Sequence, residues 1–167
     1  GPMTAGGGVQ FGFAWAPDSS RIAYRADQRT NDVVELFTTR PDGTDNRRVS
    51  GPLVANGAVF DLAWAPNGSR IAYRADALVD NVVQLFSVRP DGTGNTQLSS
   101  VPPTGDVFDF IWAPDSSRIA YRADQAVDDI VELFTSGADG TGNVRVHPAL
   151  TVDRAVIHLE GVAPGQH

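Results

Sequence analysis

The run Trp15-Ala16-Pro17-Asp18-Ser19-Ser20-Arg21-Ile22-Ala23-Tyr24-Arg25-Ala26-Asp27 decides the fold, because it is written three times. It returns as Trp64-Ala65-Pro66-Asn67-Gly68-Ser69-Arg70-Ile71-Ala72-Tyr73-Arg74-Ala75-Asp76, 49 residues on, and again from Trp112 to Asp124 after a further 48. Phe37, Phe86 and Phe134 keep the same steps, as do Gly43, Gly92 and Gly140. Residues 13–49 and 110–146 share 27 identities in 37 positions, which points to amplification of one unit. A fixed period of this length marks a stack of supersecondary units, each needing its neighbours to bury its faces.

Within a unit the pattern is that of short strands. In the third copy Val107–Trp112 is apolar and aromatic, and Ala113-Pro114-Asp115-Ser116-Ser117 is a turn by its proline and Asp/Ser chemistry. Arg118–Ala123 alternates, with Ile119 and Tyr121 on one face and Ala120 and Arg122 on the other. A loop over 124–128 leads to a third strand over 129–136. The hairpin signal Asp139-Gly140-Thr141-Gly142 then leads to a shorter fourth strand over 143–147. The expected fold is all-β: three four-stranded antiparallel propeller blades plus one extra C-terminal strand. The blades span 9–50, 51–99 and 100–150, after a tag scar and flexible leader over 1–8, and 151–167 is the remnant of a fourth unit. Trp15, Trp64, Trp112, Tyr24, Tyr73 and Tyr121 recur in every copy, so they are expected to serve the repeat itself through core packing.

The motifs Phe-x-Trp-Ala-Pro-Asp-Ser-Ser-Arg-Ile-Ala-Tyr, Val-Val-Glu-Leu-Phe and Asp-Gly-Thr-x-Asn resemble the TolB-like β-propeller repeat, a relative of the Trp-Asp-repeat class, over residues 9–147. The resemblance implies that the Pro17-Asp18 turn joins the two inner strands and the Asp42-Gly43 turn the two outer ones. Members of that family include periplasmic binding modules and the propellers that precede serine peptidase domains. The resemblance therefore allows a periplasmic or extracellular location and speaks to fold more than to function.

Propellers close with four to eight blades. Three would leave two apolar faces open, so a homodimer forming one six-bladed ring is expected, with a fragment of a longer propeller as the competing reading. The tail run Val162-Ala163-Pro164-Gly165-Gln166-His167 echoes Trp112–Ser117, and the strand-like stretch before it, 155–160, is expected either to pair across the ring junction or to fold over its own last blade.

Composition narrows the chemistry. The chain has 167 residues, a net charge of -7 and no cysteine; all 13 of its cations are arginine and 17 of its 20 acids are aspartate. The acidic balance argues against nucleic acid and anionic membranes as partners. No nucleophile elbow, phosphate loop or dinucleotide fingerprint occurs, and His147, His158 and His167 match no zinc spacing, so no enzyme and no cofactor are expected. Asp61 and Asp109 occupy matching places in innermost strands, where blade 1 has Gly12, and are the channel-ligand candidates. Calcium or a cationic group would suit them, against a plain hydrogen-bonding role. Asp27, Asp76 and Asp124 are expected to pair with Arg25, Arg74 and Arg122 two residues before them. Leu78 and Val79, in a loop that differs between copies, are the partner-contact candidates for a protein or peptide ligand. Three functions remain open: a non-catalytic binding or scaffold module, a purely structural self-assembling half-propeller, and a fragment of a propeller that precedes a peptidase.

Overall fold

A computed structural model describes residue 3 and residues 5–100 and 105–148. The stretch 155–160 and the histidines 158 and 167 lie outside the described residues. The repeat folds as three separate four-stranded antiparallel sheets, each a simple meander in sequence order, and the described residues contain no helix. Blade 1 comprises β1 (Ala14–Trp15), β2 (Ile22–Ala26), β3 (Glu35–Thr39) and β4 (Arg47–Arg48). Blade 2 comprises β5 (Val59–Trp64), β6 (Ile71–Ala75), β7 (Gln84–Val88) and β8 (Thr96–Gln97). Blade 3 comprises β9 (Val107–Trp112), β10 (Arg118–Ala123), β11 (Glu132–Gly137) and β12 (Val144–Arg145).

The turns explain the register. Asp18 Oδ1 accepts from the Ser20 N–H at 3.0 Å, and Ser19 takes a left-handed φ of 61°, as Gly68 and Ser116 do in the other copies. In the outer hairpins Asp42, Asp91 and Asp139 each accept from the backbone and hydroxyl of the threonine two residues on. Gly43, Gly92 and Gly140 carry the φ near 80–86° that these hairpins require. The third strand of blade 3 starts at Glu132 rather than at 129, because Asp129 sits at φ 64° and cannot extend the ladder. Its fourth strand shortens to Val144–Arg145.

The blades pack as a repeated pair of unlike faces. One core joins Ala23, Leu36 and Val49 of blade 1 to Ile71, Tyr73 and Phe86 of blade 2, with Trp64 alongside. The next joins Ala72, Leu85 and Leu98 of blade 2 to Trp112, Ile119, Tyr121 and Phe134 of blade 3. Each junction therefore sets a small aliphatic face against the aromatic face of the following blade. Tyrosine and phenylalanine stack across β2–β3, β6–β7 and β10–β11 with centroids 5.6, 5.3 and 5.7 Å apart. The tryptophans follow this order. Trp112 is 8% exposed and Trp64 is half-buried, but Trp15 is 52% exposed, with no blade packed on its face among the described residues. Core packing thus describes two of the three.

Blade 1 carries one local departure. Asp45 (φ 52°) stands where Gly94 and Gly142 stand in the other copies, and its carboxylate contacts Arg47 and, at 2.7 Å, Arg21. Hydrogen bonds from Arg47, then Arg21, bring its pKa down to about 2. An unfolded aspartate titrates at about 4, so the stability this group supports is whole above that pH and lost as pH falls toward 2. Asp45→Gly keeps the left-handed backbone and is expected to flatten the acid limb of a stability–pH profile between those values. An unchanged limb in acid-titrated urea melts counts against this assignment.

Candidate functional site

Asp61 and Asp109 lie on the innermost strands, β5 and β9, directly across the ladder from Arg74 and Arg122. Arg74 Nε donates to both Asp61 oxygens at 3.0 and 2.9 Å, and Arg122 Nε to both Asp109 oxygens at 2.9 and 3.0 Å. Each guanidinium adds an Nη2 contact, at 2.9 and 2.5 Å, completing a forked pair. The hydrogen bond from Arg122 holds Asp109 below the usual carboxylate range, and Asp109 in turn raises Arg122. Each of these carboxylates is thus charge-paired within its own blade, and a cation would have to compete with arginine for it.

The expected pairing of Asp76 and Asp124 with those arginines is corrected by this register. The arginines turn across the sheet to β5 and β9, while the aspartates turn to backbone. Asp76 accepts from Ala58 N–H at 2.6 Å and Asn81 N–H at 3.2 Å. Asp124 accepts from the N–H groups of Asp106 and Asp129. Asp27 accepts from Gly8 N–H at 2.6 Å and Asp32 N–H at 3.1 Å. Each carboxylate ties the loop after the second strand to the entry of the first. In blade 3 this loop gathers Asp124, Asp128 and Asp129 with carboxylate oxygens within 4.8 Å of one another. This grouping has the ligand chemistry for a hard cation, and it is a different one from Asp61 and Asp109. His147 Nε2 accepts from the Leu133 N–H at 3.0 Å, the task that Ser50 and Ser99 hydroxyls perform for Leu36 and Leu85. Leu78 and Val79 are exposed.

Sequence reasoning missed the polar stitching between blades. Trp64 Nε1 donates to the Ala14 carbonyl and Trp112 Nε1 to the Ala63 carbonyl, both at 3.1 Å. The Thr38 hydroxyl donates to the Pro90 carbonyl at 2.9 Å, and Ser87 to the Ala138 carbonyl at 2.6 Å. Arg25 Nη1 reaches the Val59 carbonyl at 3.1 Å, and Arg74 Nη1 the Val107 carbonyl at 2.9 Å. The signal was present: a hydroxyl residue recurs at 38, 87 and 135.

The arrangement is found in solved structures. Putative TolB from Agrobacterium tumefaciens superposes with a TM-score of 0.63 at 16% identity, over 84% of this chain and 47% of that one. The fold is a partial β-propeller. A puromycin-hydrolyzing peptidase of Mycobacterium tuberculosis matches this partial propeller with a TM-score of 0.60 at 16% identity, over 84% of this chain and 22% of the peptidase. An oligogalacturonate lyase from Vibrio parahaemolyticus gives 0.54 at 15% identity, over 77% and 34%. At these identities the likeness is one of fold. The chain spans about half the length of the TolB it matches, and less of the two enzymes. No protein-family model matches the sequence, and no curated protein does.

Proposed function

We propose that the chain is a non-catalytic structural half of a six-bladed, TolB-like propeller, a scaffold that works once three further blades complete its ring. One observation carries this reading: both end faces of the three-blade stack are halves of a junction that the stack itself builds twice. Blade 1 ends on an aromatic face with Trp15 exposed, and blade 3 ends on an aliphatic face with Leu133 40% exposed, where Leu36 and Leu85 are fully buried. Open apolar faces of this kind call for a partner surface. The polar groups support the non-catalytic part, because Asp61, Asp109, Asp76, Asp124 and His147 are all engaged by arginine or backbone.

The test is a tandem chain of two copies joined end to end. It should be a single-chain monomer that unfolds in one cooperative transition. A tandem chain that still self-associates, or that unfolds as two independent halves, overturns the six-bladed reading. The second reading, a segment of a propeller that precedes a peptidase, is favoured by the match covering 22% of the mycobacterial peptidase.

A further inference from the structure

Every junction in the chain uses the same three cross-blade donors. An indole N–H from the later blade reaches back to an inner-strand carbonyl. A hydroxyl from the third strand of the earlier blade reaches forward to the carbonyl that opens the next outer hairpin. An arginine Nη1 from the earlier blade reaches forward to a carbonyl at the start of the next inner strand. Continued by one more step, these series name their own missing partners. The next indole is Trp15, which has no hydrogen-bond partner among the described residues, and the carbonyl in register for it is that of Ile111. The next hydroxyl is Thr135 and its carbonyl is that of Pro41. The next arginine is Arg122, whose Nη1 is unused among the described residues, and its carbonyl is that of Gln10. All the donors and acceptors of a third junction are thus on this one chain, at opposite ends.

The apolar surfaces agree. The open face of blade 3 forms a shallow pocket among Ile111, Ala120 and Leu133, the positions that on blade 2 (Ala63, Ala72 and Leu85) receive the aromatic face of blade 3. Ile111 is 69% exposed there, and Phe13 is 64% exposed beside Trp15 at the other end. β1 runs two residues where β5 and β9 run six, and Gly12, at φ 93°, stands where Asp61 and Asp109 extend those strands.

We propose that a second copy of this chain closes the ring head to tail, its first blade seating on blade 3 so that Trp15 donates to the Ile111 carbonyl and Thr135 to the Pro41 carbonyl. Two such junctions related by a twofold axis along the channel satisfy both ends of both chains, so the assembly closes rather than growing into a fibre. This rests on the six-bladed reading above and adds to it the identity of the partner and the register.

The chain is free of cysteine, so cross-linking can be directed cleanly. Thr135→Cys and Pro41→Cys chains are made separately, mixed after unfolding and refolding together, and treated with a short bis-maleimide linker. Sedimentation equilibrium is run on the unaltered chain. A two-chain mass, with a covalent two-chain band from the mixture that neither variant gives alone, is the expected result. A double variant, Thr38→Cys with Pro90→Cys, links within one chain at the equivalent junction and serves as the control. A two-chain mass without the mixed band, while the control links, overturns the register. A one-chain mass, or masses rising beyond two chains, overturns closure by a second copy. The tandem chain then decides separately whether six blades are the complete ring.

Discussion

Replacing Trp112 with alanine is expected to cost about 3–5 kcal/mol of unfolding free energy, measured by urea denaturation followed by far-ultraviolet circular dichroism. The indole is 8% exposed and belongs to the core shared by blades 2 and 3, among Leu85, Leu98 and Ile119. Its removal leaves a hole bounded by two sheets, neither of which can collapse without breaking its own ladder. It also removes the donor to the Ala63 carbonyl. Trp112→Phe separates the two contributions. Phenylalanine keeps most of the apolar contact and loses the N–H, so its cost should fall to about 1–2 kcal/mol. Equal losses for the two variants would mean that the hydrogen bond dominates. A loss below 1 kcal/mol for alanine would mean that the blades do not share a core at this point.

The sequence was most legible where local chemistry and period agree. The expected strands Val107–Trp112 and Arg118–Ala123 coincide with β9 and β10, because alternation, β-branched residues and a Pro-Asp-Ser turn all point the same way. Partners were legible only within the hairpins. Asp139 and Thr141 are two apart and touch, as turn chemistry dictates. Arg122 and Asp124 are also two apart, but Arg122 binds Asp109, 13 residues away, because cross-strand register places those two side by side. Spacing along one strand says which face a side chain shares, and only the ladder says what stands opposite. The hydroxyls Thr38 and Ser87 recur visibly in the sequence, but their role did not show, for a related reason: their acceptors are backbone carbonyls of another blade, which have no side-chain signature. The copies also differ where the structure shows an acidic loop. Residues 32, 81 and 129 share the same left-handed turn, and only blade 3 has acids at all three loop positions, Asp124, Asp128 and Asp129, where the other copies have Asn31 or Asn81.

The aspartate of the repeated Tyr-Arg-Ala-Asp run yields the second large effect. Asp76→Ala is expected to lower stability by about 2–4 kcal/mol. Asp76 is buried, with one oxygen on the Ala58 N–H at the entry to β5 and the other on the Asn81 N–H in the loop that follows β6. Alanine leaves the Ala58 amide without its carboxylate acceptor and frees the loop, whose residue 81 is held at φ 61°. Asp76→Asn retains one oxygen acceptor and loses the charge, so it should fall between the wild type and alanine. Urea melts give the order, and amide exchange at Ala58 and Asn81 gives the place: both should accelerate in Asp76→Ala while the amides of β10 and β11 do not. The contrast with Asp61 is the useful part. Asp61 and Asp109 meet arginine on half-exposed or exposed inner strands, where paired charges are worth little in water. Asp76 is itself buried and meets two backbone donors, one on each side of the sheet's inner end. The many aspartates that make this chain acidic therefore do different work according to what they face. Those repeated in every copy, at 27, 76 and 124 and at 42, 91 and 139, tie loops and turns of the blade through backbone N–H groups.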